Sequence, residues 1–455
     1  MPHLIRLDWP SFGAPDLPPA FTLREMQARL AAFRRVGAAY DVLAVYGDRE
    51  HAANIHWLTG FDPRFEEAVL LVTAQDALLL AGNECLPYTG ISPLVQAGDI
   101  RVGHCASLSL PSQPRKGRNL AAWLGDMVPK GASVGAVGWK WFTATEVDEP
   151  ALALDIPAFV ADPLRRIAGR VENATALMMH PSHGLRARVD AAEIARLEFS
   201  NYHAAQALTR MVFSFRDGMT DFDAHAAARL CGLPLGCHST FATGARAAQG
   251  LSGPTGEVLR TGLPISFNVS HWGSNICRSG WLARNDADLP LQARDYLQVF
   301  AGPYMAAMSH WCALMQPGVP GGDVWTAMQA ALPFDVFGVT LNPGHLIGLD
   351  EWISSPIYQG STEPLASGMA MQMDIIPDHP HYGSTRMEDG YVIADAALRA
   401  ALGAQYPQVM ARCAARADFM RDMIGLTVPE CLLPLADTCG ILAPYLMNPA
   451  QVIAL

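Results

Sequence analysis

Apolar and polar positions along the chain fall into three regimes. In the first, helical spacing alternates with short strand-like runs. Thr22 and Glu25 form a T-x-x-E cap, and Leu23, Met26, Leu30 and Phe33 then recur at helical spacing until Gly37. The run DVLAVY at 41–46 predicts a strand, and further strand-like runs stand at 68–73, 77–80, 100–102 and 133–137. Such alternation predicts an α/β domain. A second long helix is expected from near Val189, capped by Asp190 and Glu193. Ile194, Leu197, Ala204, Leu208 and Met211 form its apolar face, and Gly218 is its stop. From about 230 to 395 the pattern becomes short strands punctuated by glycine, which suits an antiparallel sheet. Residues 1–20 are proline-rich and expected to be extended. Residues 403–455 start as a helix and end in a proline-spaced apolar tail, expected to pack on the body or on a second subunit.

Composition narrows the possibilities. With 455 residues, half of them apolar, the chain can bury large cores and predicts two domains plus a tail. A net charge of -11 offers no basic footprint for nucleic acid or an anionic membrane surface. Nine scattered cysteines show neither a C-x-x-C pair nor zinc spacing, which fits free thiols in a reducing cytoplasm. No apolar run is long enough to span a bilayer, so a cytoplasmic location is expected.

Chemistry concentrates near the C-terminus. Gly344-His345-Leu346-Ile347-Gly348-Leu349 is followed by Gly368-Met369-Ala370-Met371-Gln372-Met373-Asp374 and then by Arg386-Met387-Glu388-Asp389. Upstream lie Asn54-Ile55-His56-Trp57-Leu58-Thr59-Gly60-Phe61 and HGLRARVDAAEIARL at 183–197. The order of these motifs resembles the creatinase/Xaa-Pro aminopeptidase family, the pita-bread hydrolases. That resemblance implies an α/β (α+β) fold: a creatinase-like N-terminal domain at 1–180 and a pita-bread domain with a curved antiparallel sheet at 181–402. A C-terminal extension covers 403–455. It also implies a homodimer acting on a small-molecule substrate. The stretch at 54–61 looks like the family's strand and turn, and the loop after it, with Arg64 and Phe65, is the candidate to complete a neighbouring subunit's site.

The metallopeptidase members hold two divalent ions with Asp, Asp, His, Glu and Glu in chain order. Here the matching positions look like Asn268, Asn275, His345, Asp374 and Glu388. Two ions need carboxylates to offset their charge and a bridging water that loses a proton. Two neutral amides cannot supply that, so no metal and no other cofactor is expected. His345, Asp374 and Glu388 are then the catalytic candidates: His345 to orient water or substrate, and the two acids as an acid/base pair or a cation clamp. His345 as a core histidine and Glu388 as a partner of Arg386 are the plain alternatives. The family's assisting histidine falls at Leu251, with His271, His379 or His381 as replacements from elsewhere. Asn268, His271, Asn275, Arg278, Arg64, Phe65 and Arg386 are the substrate-binding candidates, Arg278 or Arg64 holding a carboxylate. Cys277 fits a buried strand residue better than a nucleophile.

Three functions remain. The first is a metal-independent, creatinase-like hydrolase cleaving a C–N bond in a small amino-acid-derived substrate. The second is an inactive pita-bread protein acting as a binding module. The third is a metal-dependent Xaa-Pro aminopeptidase or dipeptidase, which would require aspartate at both 268 and 275.

Overall fold

The computed structural model describes residues 2–455, and the chain divides into two compact units. One is Ala20–Ala187; the other joins the residues up to Pro19 with Arg188–Leu455. The first strand, β1 (His3–Arg6), pairs antiparallel with the C-terminal strand Gln451–Ala454, so the expected extended start is a strand of the second unit.

In Ala20–Ala187 the strands are β2 (Val42–Gly47), β3 (Ala68–Val72), β4 (Ala77–Ala81), β5 (Arg101–His104), β6 (Ser133–Val137) and β7 (Arg170–Asn173). They form one sheet in the order β5-β4-β3-β2-β6-β7. β2 and β3 pair antiparallel, as do β3 and β4, while β2, β6 and β7 run parallel. β2, β3 and β4 are buried along their whole length, as uninterrupted apolar runs require. The helix Leu23–Val36 starts where the sequence places it, with the Thr22 side chain accepting from the Glu25 N–H. One expectation fails here: residues 53–59 are a helix, not a strand, closed by Gly60 at φ 73 in the left-handed region. All seven residues are buried, so no polar face displayed the helical period.

The other unit is built on two four-stranded antiparallel sheets. One contains β8 (Phe241–Thr243), β9 (Pro264–His271), β10 (Ser274–Trp281) and β13 (Arg386–Glu388), in the order β13-β10-β9-β8. The other contains β11 (His345–Leu346), β12 (Ala370–Gln372), β14 (Gly390–Ile393) and β15 (Leu432–Pro434), in the order β11-β12-β14-β15. The tail therefore adds a strand to this body through β15, and β16 (Gln451–Ala454) pairs with β1. The long helix is Ala191–Ser214, capped by Asp190 accepting from the Glu193 N–H; it ends four residues before Gly218. Two further helices, Gly302–Leu314 and Gly321–Ala331, interrupt the stretch that the glycine pattern assigned to strands. Gly302–Leu314 buries most of its circumference, so it lacks the one-sided stripe that betrays a helix. No helix among the described residues is long and apolar enough to cross a membrane.

Candidate active site

The site grows from strand register. Across the first sheet Asn268 (β9), Cys277 (β10) and Glu388 (β13) stand opposite one another in a row, and neighbours in such a row present side chains to one face. Asn275 lies two residues from Cys277 and so shares that face. The second sheet contributes His345, which pairs with Gln372, and Asp374 just beyond β12. Gly344 makes the turn into His345. Its φ is +115, and a Cβ there would meet Gln372 O at 3.0 Å and Trp311 Nε1 at 3.2 Å.

A cavity of about 330 Å³ opens between these elements, lined by Asn268, Asn275, Cys277, Asp374, Arg386 and Glu388 together with Glu351, Trp352 and Leu251. His345 is fully buried and reaches the lining through its neighbours. Its Nε2 lies 3.5 Å from Glu351 Oε1 and 3.9 Å from Asp374 Oδ2. The Trp352 ring stacks on the imidazole at 4.1 Å, and Nδ1 stands 3.2 Å from Leu346 O. With Nδ1 donating there, Nε2 is an acceptor in the neutral ring.

The two amides point their donors inward. Asn268 Nδ2 donates to Asn275 Oδ1 at 3.1 Å, and Thr240 N–H donates to Asn268 Oδ1 at 2.7 Å. Asn275 Nδ2 donates to Glu388 Oε1 at 3.0 Å and to Glu351 Oε1 at 3.2 Å. Gln372 Nε2 donates to Glu388 Oε1 at 3.1 Å and also to Asn275 O. Arg386 Nε lies 3.3 Å from the other oxygen, Glu388 Oε2. Burial, and after it the neighbouring Asp374, pushes the Glu388 carboxyl well above the usual carboxylate range, with Arg386 pulling the other way. Burial works to lower the Arg386 pKa, but Cys277, Glu388 and Asp374 outweigh it and raise the value.

Three side chains have the composition of a metal site: ligand atoms of His345, Asp374 and Glu388 lie within 4.8 Å of one another. The residues present do not fit a two-ion centre. Both oxygens of Glu388 already face donors, and neutral amides stand at 268 and 275, where the resemblance expects acids. A guanidinium against Glu388 also supplies the positive charge that an ion would bring.

Other candidates lie elsewhere. Arg278, expected to hold a carboxylate, is a buried strut: it donates to Ile441 O, Cys277 O, Glu388 O, Thr438 O and Asp389 Oδ2. His271 faces away from the cavity, with Nε2 3.9 Å from Cys231 Sγ; burial, then His203, pushes it down to about 4. His379 stacks on Tyr382 and does not line the cavity, although Asp378 and Ser384 of the same loop do. Cys277 is buried and its thiol pushed well up by burial, which removes it as a nucleophile. In the Ala20–Ala187 unit, Arg64 holds a positive φ of 56, ion-paired with Asp62 and bonded to the Tyr88 hydroxyl, beside the half-exposed Phe65. Glu351, Trp352 and Gln372 escaped the sequence reading. The signal for the first two was an acidic-aromatic pair six residues past His345.

Among solved structures, an Xaa-Pro dipeptidase from Bacillus anthracis superposes with a TM-score of 0.61 at 14% identity, covering 82% of this chain and 96% of that one. The prolidase from Pyrococcus horikoshii OT3 gives 0.63 at 14%, covering 81% and 95%. The chain has the pita-bread fold. The N-terminal domain of the FACT complex subunit SPT16 from Cicer arietinum shares it too, at 0.57 and 14%, covering 82% and 95%. No protein-family model matches the sequence, and no curated relative does. At these identities the likeness speaks for the fold alone. Within that pita-bread fold, the cavity described above lies between the two antiparallel sheets' strands and loops.

Proposed function

We propose that this protein is a creatinase-like hydrolase that cleaves a C–N bond in a small amino-acid-derived molecule without a resident metal ion. One observation carries this reading: His345, Asp374 and Glu388 converge at a cavity whose own cation, Arg386, stands 3.3 Å from Glu388. Glu388, whose carboxyl burial and Asp374 push upward, is suited to pass a proton to a leaving nitrogen. Asp374 and the His345 Nε2 acceptor are suited to orient the attacking water or to bind the substrate. Arg386 offsets the negative charge that gathers as the proton leaves Glu388.

The test is Glu388→Gln assayed on creatine-like and amide substrates. Turnover should fall at least a thousandfold, with the melting temperature within a few degrees of the parent protein; unchanged turnover sinks the role. Metal content by mass spectrometry, after incubation with Mn, Co or Zn, should show no retained ion. Roughly two ions per chain would restore the peptidase reading.

A second reading, a binding module without activity, draws on two observations. Both Glu388 oxygens are engaged within the protein, and Leu251 lines the cavity where the resemblance expects a histidine. It is favoured if the parent protein turns over no member of the substrate panel.

A further inference from the structure

We propose that the cavity grips its ligand by a primary ammonium group, received by Glu351, Asp374 and the imidazole of His345. The inference rests on the proposed function only for the choice of cavity, and binding can be read without turnover.

The acceptors come first. His345 Nε2 and Asp374 Oδ1 are buried atoms that no donor among the described residues reaches. Glu351 Oε1 faces the same imidazole nitrogen at 3.5 Å, and Asp374 Oδ2 faces it at 3.9 Å. Unpaired buried acceptors are costly, and two of them beside Glu351, whose Oε1 has only Asn275 Nδ2 at 3.2 Å, call for a donor from outside. The three groups arrive from three segments: β11, the loop that follows it, and the end of β12. Acceptors converging from separate segments suit the divergent N–H bonds of an ammonium. A planar guanidinium or amidinium wants two coplanar oxygens of one carboxylate. Glu388, the acid expected to clamp such a group, has Oε1 occupied by Asn275 and Gln372 and Oε2 by Arg386. A creatine-like head group therefore lacks its receptor, and an amine has one.

Charge agrees. Besides Glu388, three acids line the cavity among the described residues, Glu351, Asp374 and Asp378, against one guanidinium, Arg386. A cavity so lined draws cations. Ligand contacts near 2.9 Å need the acceptors to part by about an ångström. Glu351 can provide this, because it sits on a loop with its side chain a quarter exposed. Leu341, Ile376 and Trp352 complete an apolar wall for a small aliphatic body.

Calorimetry with L-alaninamide, N-acetyl-L-alaninamide and creatine tests the assignment on the full chain, with chelator present. L-Alaninamide should bind, its acetylated form and creatine at least tenfold more weakly. Glu351→Gln should cost L-alaninamide at least tenfold in affinity while the melting temperature holds. Equal binding of the acetylated form or of creatine overturns the proposal. So does an unchanged affinity in Glu351→Gln, an absence of binding by all three probes, or binding that appears only when chelator is replaced by Mn or Zn. If L-alaninamide binds as expected while no member of the substrate panel is hydrolysed, the ammonium receptor stands and the hydrolase reading falls.

Discussion

At Asn268 and Asn275 an amide nitrogen stands where the resemblance expects a carboxylate oxygen, and that single atom reverses hydrogen bonds. Asn275 donates to Glu388 and Glu351 where an aspartate would repel both. The cavity's acids are thus held together by internal donors, and Arg386 adds the cation. Residue identity made this legible: the two asparagines stand out in the sequence itself, and their register across β9 and β10 puts them on the cavity face. Arg278 and His271 lie on the same two strands and do not belong to the cavity. His271, a strand neighbour of the site, turns instead toward Cys231 and His203. Its burial has a measurable consequence. An unfolded histidine titrates near 6.5, whereas His271 is held down to about 4. The folded state therefore resists a proton that the unfolded chain accepts, so stability is complete above about pH 6.5 and drains as pH falls toward 4. The loss amounts to about 3 kcal/mol at most. Melting curves between pH 7 and 4.5 should fall more steeply for the parent protein than for His271→Gln. Parallel slopes would show that His271 does not titrate in this window.

Elements, rather than residues, decide how the site is held. The helix Gly302–Leu314 carries Tyr304, whose hydroxyl donates to Ile375 O at 3.2 Å and accepts from the Met387 N–H at 3.1 Å. One side chain so ties the segment after Asp374 to the strand ending in Glu388. The sequence hid this helix because it is buried nearly all round, while helices with one apolar stripe, such as Leu23–Val36 and Ala191–Ser214, were legible to within a few residues. A second tie joins helix to helix. Glu198 on Ala191–Ser214 accepts from Arg412 at 2.8 Å with each oxygen and pairs with Arg416 Nη1 at 2.8 Å; Arg416 also bonds Asp437 at 2.9 Å. All four residues are buried. Removing the acid takes Arg412's carboxylate away and leaves Arg416 with Asp437 alone, which costs about 3–5 kcal/mol. Glu198→Ala should lower the melting temperature by roughly 5 °C. A shift under about 2 °C would mean that water or another acid takes over.

At the scale of the molecule the chain makes two compact units, and the sheet in Ala20–Ala187 has its own core, from Val42 and Val69 to Leu164 and Val171. Expressed alone, residues 20–187 should melt in one cooperative transition; a broad, non-cooperative melt would show that this core depends on the rest of the chain. What the sequence determined by itself was local or composed of ordered motifs: the caps, the apolar strands, the pita-bread order of GHLIG, MQMD and RMED, and the absence of carboxylates at 268 and 275. Those signals are carried by neighbouring residues and by periodicity, so a linear reading recovers them. What only the tertiary structure decided was convergence. Glu351 against His345, Arg386 against Glu388, Tyr304 between the segment after Asp374 and the strand of Glu388, and the strut role of Arg278 all depend on which side chains the fold turns toward one another. No period in the sequence encodes which acid meets which base; strand register and the burial of each side chain settle that.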